Sequence, residues 1–126
     1  MAIVGIGTDI IEINRIELQY ARLGDKLAKR VLTPTELEIY QSSKIAHRYL
    51  AKRFAAKEAA AKALGTGIGR GVSFQHIHIS NDDNGAPLIS FTDGALARLE
   101  QLGATRGHIT IADEQHYAVA TVIIES

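Results

Sequence analysis

Cysteine is absent from the 126 residues, which excludes disulfides, thiolate metal sites and cysteine nucleophiles within this chain. Tryptophan is absent too, and three Phe with four Tyr are few aromatics for stacking on nucleobases. Only two prolines interrupt the chain, Pro34 and Pro87, so long helices meet little obstruction. No apolar run reaches the roughly 18 residues that a membrane span needs. Nor does the chain open on the basic start, apolar run and cleavage site of a signal peptide. No membrane contact and a cytoplasmic location are therefore expected. An excess of one charge is also missing: 14 Lys/Arg stand against 14 Asp/Glu. A general nucleic-acid binder carries clear positive charge, so no nucleic-acid partner is expected.

Net zero hides an uneven spread. Residues 1–64 carry eleven Lys/Arg against seven Asp/Glu, a balance of +4, whereas residues 65–126 carry three against seven, a balance of −4. The first half therefore offers the surface for anionic partners. The remaining composition, 46% hydrophobic and 22% charged, suits a single globular domain over 1–126.

One stretch, His47 to Gly69, organises the rest. Ala, Leu, Lys and Glu dominate it, with no proline and no glycine before Gly65, so it reads as a long helix running into a glycine-rich turn. At about 100° per residue, Leu50, Phe54, Ala61 and Leu64 fall within an arc of about 80°, a buried stripe. Glu58 and Lys62 lie one turn apart on its flank. The small Ala55, Ala56, Ala59, Ala60, Ala61 and Ala63 around them leave room for something other than side chains. From Lys44 to Lys62 there are six basic residues and a single acid, Glu58. Solvated helices usually mix signs. A lone carboxylate among cations suits a metal ion held beside phosphates, the carboxylate taking the metal and the lysines the anion. The plainer alternative is a surface helix with one Glu58–Lys62 pair.

Ahead of that helix, Ala2–Ile13 is β-branched and apolar and reads as a strand. Gly5 and Gly7 inside it suggest a bulge or a close approach by another backbone or a ligand. Asp9 is costly in such a strand unless paired, hydrogen-bonded or metal-bound, and a ligand role is expected because Ile10, Ile11 and Ile13 continue the strand. Asn14 is placed to cap a helix through Leu23 that Gly24 ends. Lys26–Val31 reads as another helix. Thr33-Pro34-Thr35-Glu36 is a capping box opening a third.

Beyond the long helix, Gly65-Thr66-Gly67-Ile68-Gly69 tolerates positive φ and exposes backbone N–H groups that can cradle a phosphate, although a plain glycine cap is equally consistent. Phe74–Ser80 and Ala86–Phe91 alternate around Asn81-Asp82-Asp83-Asn84-Gly85 and predict a hairpin. His76 and His78 would share its solvent face, with too few further ligands nearby for zinc. Thr92-Asp93 would cap a helix to Leu102 that Gly103 stops. Gly107–Ile111 and Tyr117–Ile124 predict a second strand pair. The fold class is α+β: a mainly antiparallel sheet packed against a long central helix plus shorter helices.

Three stretches together, Gly5-Ile6-Gly7-Thr8-Asp9-Ile10, Arg53–Ala63 with its Gly-Thr-Gly tail, and Tyr117-Ala118-Val119-Ala120, resemble the holo-acyl-carrier-protein synthases, the small single-domain 4′-phosphopantetheinyl transferases. The likeness extends to Lys29-Arg30-Val31-Leu32-Thr33 and Asn84-Gly85-Ala86-Pro87. It implies the phosphopantetheinyl transferase fold and transfer of 4′-phosphopantetheine from coenzyme A to a serine of apo-acyl carrier protein, releasing adenosine 3′,5′-bisphosphate. It also implies that Asp9 and Glu58 bind Mg²⁺, that Lys62 stabilises the growing charge, and that Arg53 and Lys57 meet coenzyme phosphates. Gly65, Thr66 and Gly67 would let the coenzyme approach the backbone. Arg15, Lys26 and Arg30 would hold an acidic carrier helix, and the assembly would be a homotrimer with coenzyme sites between subunits. The base for the serine stays open between Glu58 and a metal-bound water.

One departure stands out. Many members carry Ser-His-Thr before the last strand, its histidine meeting a coenzyme phosphate, where this chain has Ala112-Asp113-Glu114. An acid there repels a phosphate, and His116 lies three residues further on from Asp113. Two other readings of the residues are a Mg²⁺-dependent nucleotide pyrophosphohydrolase, which wants more acids than Asp9 and Glu58, and a module that binds RNA or acidic protein through the basic helix.

Overall fold

The computed structural model describes the whole chain, Met1–Ser126. In order it runs β1 (Ile3–Glu12), α1 (Ile13–Leu23), α2 (Lys26–Val31), α3 (Pro34–Ser42), α4 (Ala46–Ala63), a 3₁₀ turn (Phe74–His76), β2 (Ile77–Asn81), β3 (Pro87–Phe91), α5 (Asp93–Gln101), β4 (Arg106–Asp113) and β5 (Tyr117–Glu125). The expected α+β class and the long central helix are present. No helix is long and apolar enough to cross a membrane.

Two antiparallel sheets form. β1, β5 and β4 pair in that order, and β2 pairs with β3. β5 lies in the middle of the larger sheet and alternates as a half-buried strand should: Ala118, Ala120, Val122 and Ile124 are buried on the side of α4. On the other face Val119, Thr121 and Ile123 stand beside Ile10, Thr8 and Ile6 of β1. Ile6 and Ile10 remain 65% and 63% exposed.

α4 is buried almost all round rather than along one stripe. Ala51, Ala55, Ala56, Ala59, Ala60, Ala61 and Leu64 are fully covered, while Phe54 of the expected stripe is only partly so. The alanines therefore leave no room for a ligand. Their short side chains let β1 and β5 approach the helix backbone, which fills the space.

Local signals set several boundaries. α2 spans the residues expected. At α3 the Thr33 hydroxyl accepts from the Glu36 N–H and the Glu36 carboxylate accepts from the Thr33 N–H, a reciprocal cap worth about 1 kcal/mol.

Three local expectations are corrected. α1 starts at Ile13, so Asn14 lies inside it rather than capping it; Glu12 takes the cap position with no side-chain cap bond, and the Ile13 N–H is donated to the His116 carbonyl, 2.8 Å away. Thr92 occupies the N-cap of α5 but makes no side-chain cap bond; its hydroxyl sits 3.2 Å from His78 Nε2. His76 belongs to the 3₁₀ turn, and its Nδ1 accepts from the Ser73 N–H at 3.1 Å, so it does not share a strand face with His78.

Candidate active site

Gly5 and Gly7 decide where Asp9 goes. A Cβ on Gly7 would fall inside the Ala59 carbonyl oxygen and 2.6 Å from the Ala63 nitrogen; one on Gly5 would strike the Ala63 carbonyl. β1 thus rests directly on the backbone of α4, the close approach that two glycines permit. Two residues further along β1, Asp9 meets Lys62 of α4. Lys62 Nζ donates to Asp9 Oδ1 at 2.9 Å and to the Thr8 carbonyl at 3.0 Å. Asp9 keeps 17% of its side chain exposed and Lys62 keeps 52%, so the pair opens to solvent.

Glu58, one turn before Lys62, is half-buried. Burial pushes its carboxyl pKa up, and the neighbouring Asp9 carboxylate pushes it further; Lys62 and Arg30 act the other way. Two carboxylates close enough to oppose each other's ionisation, with a lysine bonded to one of them, form a set that a hard divalent cation would relieve. Asp9, Glu58 and Lys62 are therefore brought together, with Arg30 of α2 near enough to be felt by Glu58.

Lys57 lies elsewhere. It is fully buried, and its Nζ donates to Glu36 Oε1 at 2.6 Å, to the Val31 carbonyl at 2.7 Å and to the Phe74 carbonyl at 3.1 Å. All three ammonium protons have acceptors inside the protein, so the expected contact of Lys57 with a coenzyme phosphate is corrected: the side chain is a core group. Burial lowers its pKa, and Glu36 pulls it back up. Glu36, legible in sequence only as a cap, was missed as this partner because the two positions lie far apart in the chain.

Arg53 is 5% exposed. Its Nη2 donates to Asn81 Oδ1 at 3.0 Å and its guanidinium lies 4.7 Å from the centre of the Tyr49 ring. Its Nε and the Tyr49 hydroxyl are buried without a partner. Both residues line a cavity of about 220 Å³ together with Lys52, Asn81, Pro87 and Ile111. Unsatisfied buried donors are costly, and the cations lining the cavity suit an anionic ligand. Sequence reading singled out Arg53 here but not Tyr49, Lys52 or Asn81, which reach the cavity from α4 and the end of β2.

The Gly65–Gly67 turn does not form a phosphate cradle. The Gly65 N–H donates to the Lys62 carbonyl at 2.9 Å, and those of Thr66 and Gly67 donate to the Ala61 carbonyl at 3.3 and 3.1 Å. With φ of +77° and +65° at the two glycines, the turn closes the C-terminus of α4. Arg98 Nε caps the Leu64 carbonyl at 2.9 Å. Thr66 and Gly65 instead border an open depression that also holds Arg70 and Arg98.

The acidic segment before β5 is internally compensated. Arg48 donates to Asp113 Oδ2 at 2.9 Å and to the Glu114 and Gln115 carbonyls, while Lys52 lies 3.4 Å from Asp113 Oδ1. Glu114 Oε1 accepts the His116 and Tyr117 N–H groups and shapes the turn. His116 is exposed. Burial alone would raise the Asp113 pKa, but Arg48 and Lys52 outweigh it and hold it below its ordinary value. A carboxyl depressed in the fold contributes stability that is complete above its unfolded pKa and lost as pH falls through its folded one. Below the ordinary value of 3.8 the unaltered chain should therefore lose melting temperature faster than Asp113→Asn. Parallel melting curves across that range would show the pair contributes nothing.

Arg15, Lys26 and Arg30 are all exposed on α1 and α2. The Arg30 guanidinium lies 5.5 Å from the centre of the Phe74 ring.

Comparison with known proteins covers the same ground. A family model described as the 4′-phosphopantetheinyl transferase superfamily matches residues 5–122. The chain is 77% identical to a holo-[acyl-carrier-protein] synthase of Shewanella denitrificans over the full length of both. Among solved structures it is similar to the holo-[acyl-carrier-protein] synthase of Neisseria meningitidis, with TM-score 0.92 and 42% identity over 99% of this chain and 100% of that one. It is also similar to the Helicobacter pylori synthase solved in complex with coenzyme A, with TM-score 0.83 and 32% identity over 95% and 99%. A carboxylate pair with its lysine, a cationic cavity, and likeness along the whole chain lead to one conclusion: this chain belongs to the 4′-phosphopantetheinyl transferase superfamily, among its holo-[acyl-carrier-protein] synthases.

Proposed function

We propose that residues 1–126 act as one domain that transfers 4′-phosphopantetheine from coenzyme A to a serine of apo-acyl carrier protein, releasing adenosine 3′,5′-bisphosphate, with Mg²⁺ held by Asp9 and Glu58. The observation that carries this reading is the meeting of Asp9, Glu58 and Lys62 at the solvent-open seam of β1 and α4. Mg²⁺, when bound, would neutralise the diphosphate and favour departure of the leaving phosphate. The serine oxygen forms its bond to the phosphorus next to pantetheine as the bridging P–O bond breaks, and the serine proton is lost to a base. Lys62 is held by Asp9 and the Thr8 carbonyl, so its charge would be preorganised beside a diphosphate bound at Asp9 and Glu58. Arg53 and Lys52 offer cations to the coenzyme's remaining phosphate in the cavity beside Tyr49. Arg15, Lys26 and Arg30 present exposed cations to an acidic carrier.

The test is the intact mass of an apo-acyl carrier protein after incubation with this chain, coenzyme A and Mg²⁺. A gain of one phosphopantetheine, abolished by EDTA, is expected. No gain with several apo carriers would sink the reading, and the hydrolase and binding alternatives would replace it.

A homotrimer, in a cytoplasmic setting, is part of the same reading. The apolar outer face of the larger sheet, with Ile6 and Ile10 uncovered, favours association. Sedimentation should give a mass three times the chain's 13.6 kDa. A monomer at assay concentration would remove this part.

A further inference from the structure

α2 carries two of the three carrier-facing cations, Lys26 and Arg30, yet it has little of its own to hold it in place. It is six residues long, has no side-chain cap at its N-terminus and buries only Ala28 and Val31. Its carbonyl end must be fixed by other parts of the chain. Two side chains do this. Gln75 Nε2 donates to the Leu32 carbonyl at 2.6 Å, and to those of Arg30 and Lys29 at 3.2 and 3.3 Å. Lys57 Nζ donates to the Val31 carbonyl at 2.7 Å, placing a cation at the negative end of the helix.

Lys57 belongs to a larger knot. Glu36, 2% exposed, accepts Lys57 and the Thr33 N–H on Oε1, and the Ile79 N–H on Oε2 at 2.9 Å. Lys57 also bonds the Phe74 carbonyl, and the ring of Phe74 lies beneath the Arg30 guanidinium. The end of α2, the start of α3 and the 3₁₀ turn thus meet at one ammonium, and β2 joins them through Glu36. That ammonium belongs to the residue immediately before Glu58. A leucine or methionine would avoid the desolvation cost of a buried ion pair but would leave the Val31 and Phe74 carbonyls without the donor that joins them.

We propose that Lys57, with Glu36 and Gln75, is a positioning residue: it ties α2 to the turn of α4 that bears Glu58, and so sets the offset between the carrier-docking cations and the reacting centre. The inference rests on the transferase reading above. It assigns Lys57 no contact with coenzyme, metal or carrier. Its effect passes through Arg30.

The test is a double-mutant cycle on carrier and coenzyme kinetics, begun with the unaltered chain. Arg30→Ala alone should raise the KM for apo carrier about tenfold and leave the KM for coenzyme A within about twofold. The paired change Glu36→Gln with Lys57→Met removes both buried charges together. It should raise carrier KM about tenfold at unchanged coenzyme A KM, and Arg30→Ala added to it should cost less than about twofold more. Gln75→Ala, on a half-buried side chain, should show the same pattern in milder form and decides the matter if the paired variant does not fold.

Additive effects of Arg30→Ala, an unchanged carrier KM, or equal loss toward both substrates would overturn the positioning role. An unaltered chain that never modifies a carrier would instead bring down the transferase reading, and this inference with it.

Discussion

Glu58→Gln is expected to cut carrier modification by at least about a hundredfold, the scale on which removing one preorganised electrostatic group from an active site acts. The substitution keeps size and shape but replaces a carboxylate oxygen with an amide NH₂, so the loss would come from the charge and the metal-binding oxygen. In the unaltered chain Glu58 is pushed toward its neutral form by burial and by Asp9. Both influences penalise the ionised carboxylate, and a bound divalent cation reverses the second of them. Mg²⁺ should therefore raise the melting temperature of the unaltered chain, since a ligand bound only by the native state stabilises it. It should leave that of Glu58→Gln unmoved.

The linkage for Glu58 runs opposite to that for Asp113. A carboxyl whose folded pKa lies above its ordinary 4.5 opposes folding once pH has risen through that value. At neutral pH and without Mg²⁺ the glutamine variant should be no less stable than the original. A variant that melts early, or one that keeps full activity with an intact Mg²⁺ response, would remove Glu58 from the metal assignment.

Gly7→Ala should cost about 1–3 kcal/mol or more of stability, the usual range for forcing a methyl into a close-packed site. The added Cβ would overlap the Ala59 carbonyl, approach the Ala63 nitrogen to 2.6 Å and the Lys62 Cβ to 2.8 Å. Those atoms are helix backbone or rooted in it and cannot swing aside. β1 would have to lift from α4, and Asp9 would leave Lys62. Activity should fall further than the folded fraction does. The measurement is a denaturant titration paired with the carrier assay and the Mg²⁺ melting shift. Gly67→Ala is a useful contrast. A Cβ there meets open space, so only its φ of +65° opposes the change. Equal stability for Gly7→Ala and the original would mean that β1 and α4 are not in contact as described.

These residues also show what could be read without coordinates. Asp9 and Glu58 stand out as candidates because each breaks its local rule: a carboxylate in an apolar strand, and a lone acid in a basic helix. The cap at Thr33 and Glu36, the six residues of α2, the hairpin around Asn81–Gly85 and the long α4 were legible because their determinants lie within a few residues of each other. Backbone hydrogen bonding, capping and side-chain periodicity are short-range in sequence, and the sequence by itself determined them.

The tertiary structure decided which groups were already occupied. Lys57 has the composition of a phosphate ligand and the angle of an inward residue. Only the packing of α2, α3 and the 3₁₀ turn around it showed three acceptors waiting for its protons. The N–H groups of Gly65–Gly67 looked free until the end of α4 was seen to use them. Asp113 looked hostile to phosphate until Arg48 and Lys52 were found on it. A sequence states which donors, acceptors and charges a chain has. Whether each meets a partner depends on contacts between segments dozens of residues apart, and burial makes those contacts obligatory once the elements pack.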